Sequence, residues 1–251
     1  MTDEFTQLGL HPQLVQAVSD LGYTTPTPIQ SEVIPLMLAG HDVIGQAQTG
    51  TGKTAAFALP ILQTLERDQR CVQALVLAPT RELANQVAQA TLEYGSCQKV
   101  RVLAVYGGQP YSRQISCLRQ GVDIVVGTPG RLLDLIEKGY LDLSCVKTVV
   151  LDEADEMLSM GFIDDIKEIL SKTPSERQNA LFSATISKEI RSLADKYMHS
   201  PQSVTIKSKQ LTVDTVDHRY YLANKEDKLA VLTRLFEVED ITSALIFVST
   251  R

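Results

Sequence analysis

Residues 47–54 read Ala47-Gln48-Thr49-Gly50-Thr51-Gly52-Lys53-Thr54. A short apolar run at 42–47 leads into them and an apolar stretch at 55–62 follows. Strand, glycine-rich turn and helix start make the setting of a phosphate-binding loop, because backbone N–H groups and the positive end of the helix dipole meet there. Gly50 and Gly52 permit the tight turn that aims successive N–H groups inward, Lys53 reaches the β- and γ-phosphates, and Thr54 offers a hydroxyl to Mg2+. Ala47 stands where the first glycine of the usual pattern falls, so the strand before and the helix after carry the reading against that of a plain Gly/Thr-rich turn.

A phosphate loop needs an acidic strand end to hold its metal. Val149-Val150-Leu151-Asp152-Glu153-Ala154-Asp155 supplies one in a buried-strand context. Asp152 would hold Mg2+ through water, and Glu153 would orient and deprotonate the attacking water. The plainer reading is an acidic helix N-terminus, which the macrodipole favours anyway.

Around these two motifs, short apolar runs alternate with longer amphipathic stretches. The runs at 42–47, 74–78, 100–105, 123–126, 146–151 and 179–182 are rich in Val, Leu and Ile and nearly continuous, as parallel strands buried on both faces are. Helices are expected from Pro12 to a stop at Gly22, from Thr27-Pro28, and over 81–94, 130–138, 162–171 and 187–198. The fold class is therefore α/β, an open parallel sheet covered by helices on both faces. After the run at 203–206 a polar stretch suits a linker. The expected organisation is a domain over 1–207, a linker over 208–215 and the start of a second domain over 216–251. That last part reads as strand (216–222), helix (226–237) and strand (244–248), too small to bury its own core.

Composition narrows the function classes. The 251 residues carry 24 basic against 30 acidic side chains, which argues against binding nucleic acid by bulk charge but not against a local surface built on backbone amides. Cys71, Cys97, Cys117 and Cys145 are scattered and read as reduced thiols, and His11, His41, His199 and His218 are isolated. No run approaches the roughly 18 apolar residues of a membrane span, and Met1-Thr2-Asp3-Glu4 opens no signal peptide, so a cytoplasmic protein is expected.

Asp152-Glu153-Ala154-Asp155 are the four letters that name the DEAD-box family of superfamily 2 RNA helicases, and the chain resembles the amino-terminal RecA-like domain of that family, bacterial type, throughout. Gly22-Tyr23-Thr24-Thr25-Pro26-Thr27-Pro28-Ile29-Gln30 is similar to its adenine-reading Q motif, with Phe5 as the upstream aromatic. Pro79-Thr80-Arg81-Glu82-Leu83, Gly107-Gly108 and Thr128-Pro129-Gly130-Arg131 resemble its RNA-contacting motifs. Ser183-Ala184-Thr185 resembles the motif that couples nucleotide state to strand separation, together with Asp155, and 245–251 resembles the first motif of the second domain.

The resemblance implies that Phe5, Tyr23, Thr25 and Gln30 join Gln48 through Thr54 in holding ATP, and that RNA is gripped by sugar and phosphate with low sequence specificity. Taken singly, Thr80 reads first as a helix cap and the glycine pairs as turns. Together they fall at the carboxyl ends of strands, where open α/β sheets bind ligands. The family places its arginine fingers in the second domain, beyond Arg251. The competing readings are a module that binds adenine nucleotide and weakly binds RNA without turnover, and a DNA translocase, which Gln30 and Asp155 disfavour. Self-association through the incomplete second domain is a further expectation. A Gln side chain presents donor and acceptor together, so Gln30 can pair with adenine N6 and N7 at once. Gln30→Ala should therefore narrow the preference for ATP over GTP by about 1–3 kcal/mol; equal discrimination by the variant and the parent in nucleotide titrations would remove that role.

Overall fold

The computed structural model describes residues 4–66, 69–206 and 219–248. They fall into two units, one on each side of the 208/209 boundary.

The first unit begins with three helices, α1 (Glu4–Gln7), α2 (Pro12–Asp20) and α3 (Pro28–Leu38). The chain then alternates through β1 (Val43–Gln46), α4 (Lys53–Thr64), β2 (Ala74–Leu77), α5 (Arg81–Tyr94), β3 (Val102–Val105) and α6 (Tyr111–Gln120). It continues with β4 (Ile124–Gly127), α7 (Pro129–Glu137), β5 (Thr148–Leu151), the pair α8 (Ala154–Ser159) and α9 (Ile163–Ser171), β6 (Gln178–Ser183), α10 (Lys188–Tyr197) and β7 (Gln202–Thr205). Local chemistry sets the starts. Prolines occupy the first turns of α2, α3 and α7, where no N–H is needed, and the Thr80 and Ser187 hydroxyls cap α5 and α10.

Among the described residues the strands form one seven-stranded sheet in the order β3-β4-β2-β5-β6-β1-β7. Every pairing is parallel. Side chains alternate across it. Ala74, Val76, Val126, Val150 and Phe182 face α2 to α5, while Leu75, Leu77, Val125, Leu151 and Leu181 face α6 to α10. Gly45 matters in the first of these layers: a Cβ there would lie 2.6 Å from the Phe182 ring, which packs against Phe57 with centroids 5.4 Å apart.

The six expected strands of this unit are all present. Beyond the four-residue α1 and a short 3-10 turn at Ser96–Gln98, three elements were not expected as such. Helix α6 is mostly polar, with Gln114 its one buried residue, so its stripe of Tyr111, Ile115 and Leu118 is faint in the sequence. Helix α8 is only six residues long, and β7 is an edge strand with Val204 alone buried. No helix among the described residues is long and apolar enough to cross a membrane.

In the second unit the expected helix is α11 (Lys228–Val238). The two expected strands require correction. Residues 216–218 lie outside the described residues; 219–222 and 244–248 are in no strand. A strand exists only through a hydrogen-bonded neighbour, and here Leu222 is 94 % and Phe247 88 % exposed, without an apolar partner face.

At the amino edge of the sheet, Asp42 ties β1, β6 and the approach to β7 together. Its carboxylate accepts from Asn179 N–H at 2.7 Å, the Asn179 amide at 3.1 Å and His199 N–H at 2.7 Å. Asp42→Ala strands these donors in a buried site and should lower unfolding free energy by about 3 kcal/mol in urea titrations; a loss below about 1 kcal/mol would mean water replaces the carboxylate.

Candidate functional site

Parallel strands with right-handed crossovers bring each strand's exit loop to one edge. Residues 47–54 leave β1, 79–81 follow β2, 107–108 follow β3, 128–131 follow β4, 152–155 follow β5, and 183–185 end β6. Strand order then sorts them. The three loops expected to contact RNA leave the neighbouring strands β3, β4 and β2, the phosphate loop leaves β1, and β5 and β6 lie between.

The phosphate loop turns through Gly50 (φ 81°) and Gly52 (φ 94°). Gly52 suits its place twice over: its φ is left-handed, and a Cβ there would meet the Gln30 amide nitrogen and the Thr27 hydroxyl. Gln30, fully buried, accepts from Thr27 N–H at 2.9 Å and donates to the Gly52 carbonyl at 3.1 Å. One amide hydrogen and one oxygen lone pair stay unused among the described residues. Thr51 donates its hydroxyl to the Gln48 carbonyl at 2.7 Å, closing the turn from inside.

Lys53 opens α4 and is 6 % exposed, and its Nζ has no hydrogen-bond partner among the described residues. A buried ammonium without a partner costs several kcal/mol, so this arrangement makes sense for a loop that receives an anion. Asp152 is also buried. Burial pushes its carboxyl up to about 6 and the Glu153 charge adds to that, while the Lys53 charge and the Glu153 N–H, which donates to Oδ1 at 3.0 Å, work against it. Glu153 sits at φ 51°, ψ 53°, a left-handed conformation that costs a non-glycine residue about 1–2 kcal/mol. The strained backbone carries its carboxylate to the phosphate loop, where Oε1 accepts from the Thr49 hydroxyl at 3.0 Å.

Asp155 connects β5 to β6. Its carboxylate accepts from both the Thr185 N–H and the Thr185 hydroxyl at 2.9 Å, while its own N–H donates to Ser183 Oγ at 3.2 Å. Ser183 in turn donates to the Thr185 carbonyl at 2.6 Å. Partial burial raises the Asp155 carboxyl, but the Thr185 and Ser183 hydrogen bonds outweigh it and hold the group below the ordinary carboxylate range. Gln46, at the end of β1, donates to the Ala184 carbonyl at 3.2 Å, so the phosphate-loop strand and the 183–185 turn are joined directly.

On the other flank, Thr80 accepts from Leu83 N–H at 3.1 Å, the cap anticipated for it. Arg81 crosses Gly108 so closely that a Cβ there would lie 2.6 Å from its Nη1. Pro129 is buried in the first turn of α7, Gly130 is exposed beside it, and Arg131 donates to the Gln109 carbonyl at 3.2 Å. Gly107 is half-buried, and Thr54 lies half-buried in the first turn of α4.

Two aromatic residues of the expected nucleotide set pack into the scaffold. Phe5 has no exposed surface and lies in the core layer under α2 to α5. Tyr23 packs edge-on against Tyr94, with the two hydroxyls 3.1 Å apart. Thr25 is exposed. Gln46, Gln109, Tyr111 and Gln114 escaped the sequence reading. For the last three the available signal was Pro110 opening a helix directly after the Gly107-Gly108 turn.

A parallel α/β sheet with a glycine-rich phosphate loop after β1 and an acidic exit from β5 defines a RecA-like nucleotide-binding domain. The chain belongs to the DEAD/DEAH box helicase family, whose model matches residues 27–193. It is 48 % identical over 247 residues to the DEAD-box ATP-dependent RNA helicase CshA of Geobacillus kaustophilus, covering 98 % of this chain and 53 % of the relative. It is 50 % identical over 248 residues to the ATP-dependent RNA helicase DeaD of Escherichia coli K12, covering 98 % of this chain and 39 % of the relative. A solved DEAD box protein from Methanococcus jannaschii superposes with TM-score 0.80 at 39 % identity, covering 93 % of this chain and 63 % of that one. The chain thus spans about half the length of the curated relatives it matches.

The raised Asp152 carboxyl has a stability consequence whose sign is fixed. A folded-state value of about 6 against an ordinary 3.8 favours the fold at low pH, and this contribution is lost as pH rises through 6. By about pH 7.5 the difference amounts to roughly 3 kcal/mol. In magnesium-free buffer Asp152→Asn should therefore be more stable than the parent at neutral pH by up to that amount, with the gap closing below about pH 4. Equal urea midpoints at both pH values would contradict the buried, ionised carboxylate.

Proposed function

We propose that this chain is the ATP-binding, RNA-gripping portion of an ATP-dependent RNA helicase of the cytoplasm. The observation that carries the reading is the buried, unpartnered Lys53 ammonium beside the buried Asp152 carboxylate at a glycine loop. That pair fits a phosphate chain and its metal and little else. ATP bound with Mg2+ supplies the phosphoryl group to be transferred and the charge that holds it in place. Thr54 and Asp152 would hold the Mg2+, and the loop N–H groups with Lys53 would hold the phosphates.

Glu153 is the base. It lies against Thr49 at the loop, strained into place, and accepts a proton from the attacking water. Asp155, Ser183 and Thr185 carry the change in the nucleotide site toward the flank where Pro79-Thr80-Arg81, Gly107-Gly108 and Thr128-Pro129-Gly130-Arg131 contact an RNA strand by its sugars and phosphates. Such contacts position a strand without reading its sequence. RNA as the partner is supported by the relatives' names, and unwinding is proposed only for a protein of the relatives' full length, of which this chain spans about half.

Two variants separate binding from chemistry. Lys53→Ala should lose nucleotide affinity by about a hundredfold, because the phosphates then face no ammonium. Glu153→Gln keeps the shape and removes the base, so it should retain ATP affinity while phosphate release, measured in a protein of the relatives' full length with RNA present, falls by about 10²-fold or more. Parent-level release by Glu153→Gln would assign the base elsewhere; absence of release in the parent would leave an adenine-nucleotide-binding module.

A further inference from the structure

Arg131 sits where a cation is not favoured by its own helix, in the first turn of α7, at the positive end of the dipole. It is half-buried and meets no carboxylate among the described residues. What holds it there comes from the turn after Gly108 and from α6. Its Nη1 donates to the Gln109 carbonyl at 3.2 Å and toward Gln114 Oε1 at 3.5 Å, and its Cζ lies 4.2 Å from the centre of the Tyr111 ring. Each holder is itself fixed. Gln114 is 1 % exposed and its amide donates to the Tyr106 carbonyl at 3.1 Å, which turns its oxygen toward Arg131. Tyr111 receives a bond from Lys138 at 3.2 Å on its hydroxyl, and Lys138 in turn pairs with Asp134 at 2.7 Å. The ring is thus gripped from both ends of α7.

The outcome is a guanidinium oriented before any ligand arrives. Its Nε and Nη2 have no protein acceptor among the described residues. A guanidinium fork without a carboxylate matches a phosphodiester, and pre-orientation lowers the entropy lost when the contact forms. We propose that Tyr111 and Gln114 are positioning residues that hold Arg131 in the orientation in which it grips an RNA phosphate. The inference rests on Arg131 contacting RNA, the reading proposed above. It also joins two loops of the track, since the Arg131 fork reaches back to the backbone just after Gly107-Gly108.

The test is binding of a fluorescently labelled single-stranded RNA to this chain at several salt concentrations, with folding of each variant checked by circular dichroism. Arg131→Ala should weaken binding and reduce the slope of log affinity against log salt by about 0.7, the charge of one phosphate contact on a single strand. Tyr111→Leu should weaken binding about fivefold with the slope unchanged, because the charge stays and its orientation is lost. Tyr111→Phe, which keeps the ring, should restore affinity to within about twofold. Arg131→Lys, a point charge without the stacking plane, should resemble Tyr111→Leu and supports the proposal even if that variant fails to fold. Adding Tyr111→Leu to Arg131→Ala should cost nothing further. Parent-like affinity in Tyr111→Leu, or an undiminished loss in the Arg131→Ala background, overturns the positioning role alone. Parent-like binding by Arg131→Ala overturns the RNA contact itself, and the proposal with it.

Discussion

Everything in the first unit depends on one constraint, that its strands run parallel, with the central β2, β4 and β5 buried on both faces. Parallel pairing forces each connection to cross over the sheet, and right-handed crossovers return every strand in the same direction. Six exit loops therefore reach one edge with no special device. The order β3-β4-β2-β5-β6-β1-β7 sets the sequence of motifs along that edge: the 107–108, 128–131 and 79–81 loops, then the acidic 152–155 motif, the 183–185 turn and the glycine loop at 47–54. Separate distances across the site are then fixed by the spacing of neighbouring strands, about 4.8 Å each.

Within that frame the site is assembled from groups that the fold alone would not choose. Lys53 is buried without a hydrogen-bond partner among the described residues, Asp152 is buried with its carboxyl raised, and Glu153 is held in a left-handed conformation. Each is unfavourable by about 1 to several kcal/mol. Their neighbours are ordinary by contrast: Thr80 and Ser187 cap helices, and Phe57, Phe182 and Leu75 fill a dense core. Left-handed non-glycine residues occur in the scaffold too, at Lys99 and Ser200, but only here does one adjoin a buried ammonium and a buried carboxylate among the described residues, which is the physical mark of a site whose charges are arranged for a ligand.

Much of this was legible in the residues. Continuous runs of Val, Leu and Ile mark doubly buried strands, and all six of those expected in the first unit are found. Gly50 and Gly52 mark a tight turn between strand and helix, and both are found at positive φ there. What escaped did so for definite reasons. Helix α6 carries a weak apolar stripe because its buried residue is Gln114, whose value lies in a hydrogen bond rather than in hydropathy. The runs at 219–222 and 244–248 have strand composition without strand structure, since pairing is a property of two segments and a sequence pattern describes only one. Phe5 and Tyr23 belong to a motif by position, yet their surroundings are core neighbours that no linear pattern displays.

Gln30 has a consequence of another kind. Its amide donates to the carbonyl of Gly52, within the glycine turn, while one amide hydrogen and one oxygen lone pair stay unused among the described residues, the capacity that reading an adenine ring would take up. A base that pulls on this side chain also pulls on the loop, and by thermodynamic reciprocity an occupied loop must alter base discrimination by the same factor. With Gln30 as the base reader, selectivity for the ring and affinity for the tail become one property. A protein wired in this way cannot be retuned to a different nucleotide by reshaping the base pocket alone, because every such change is felt at the far end of the molecule it binds.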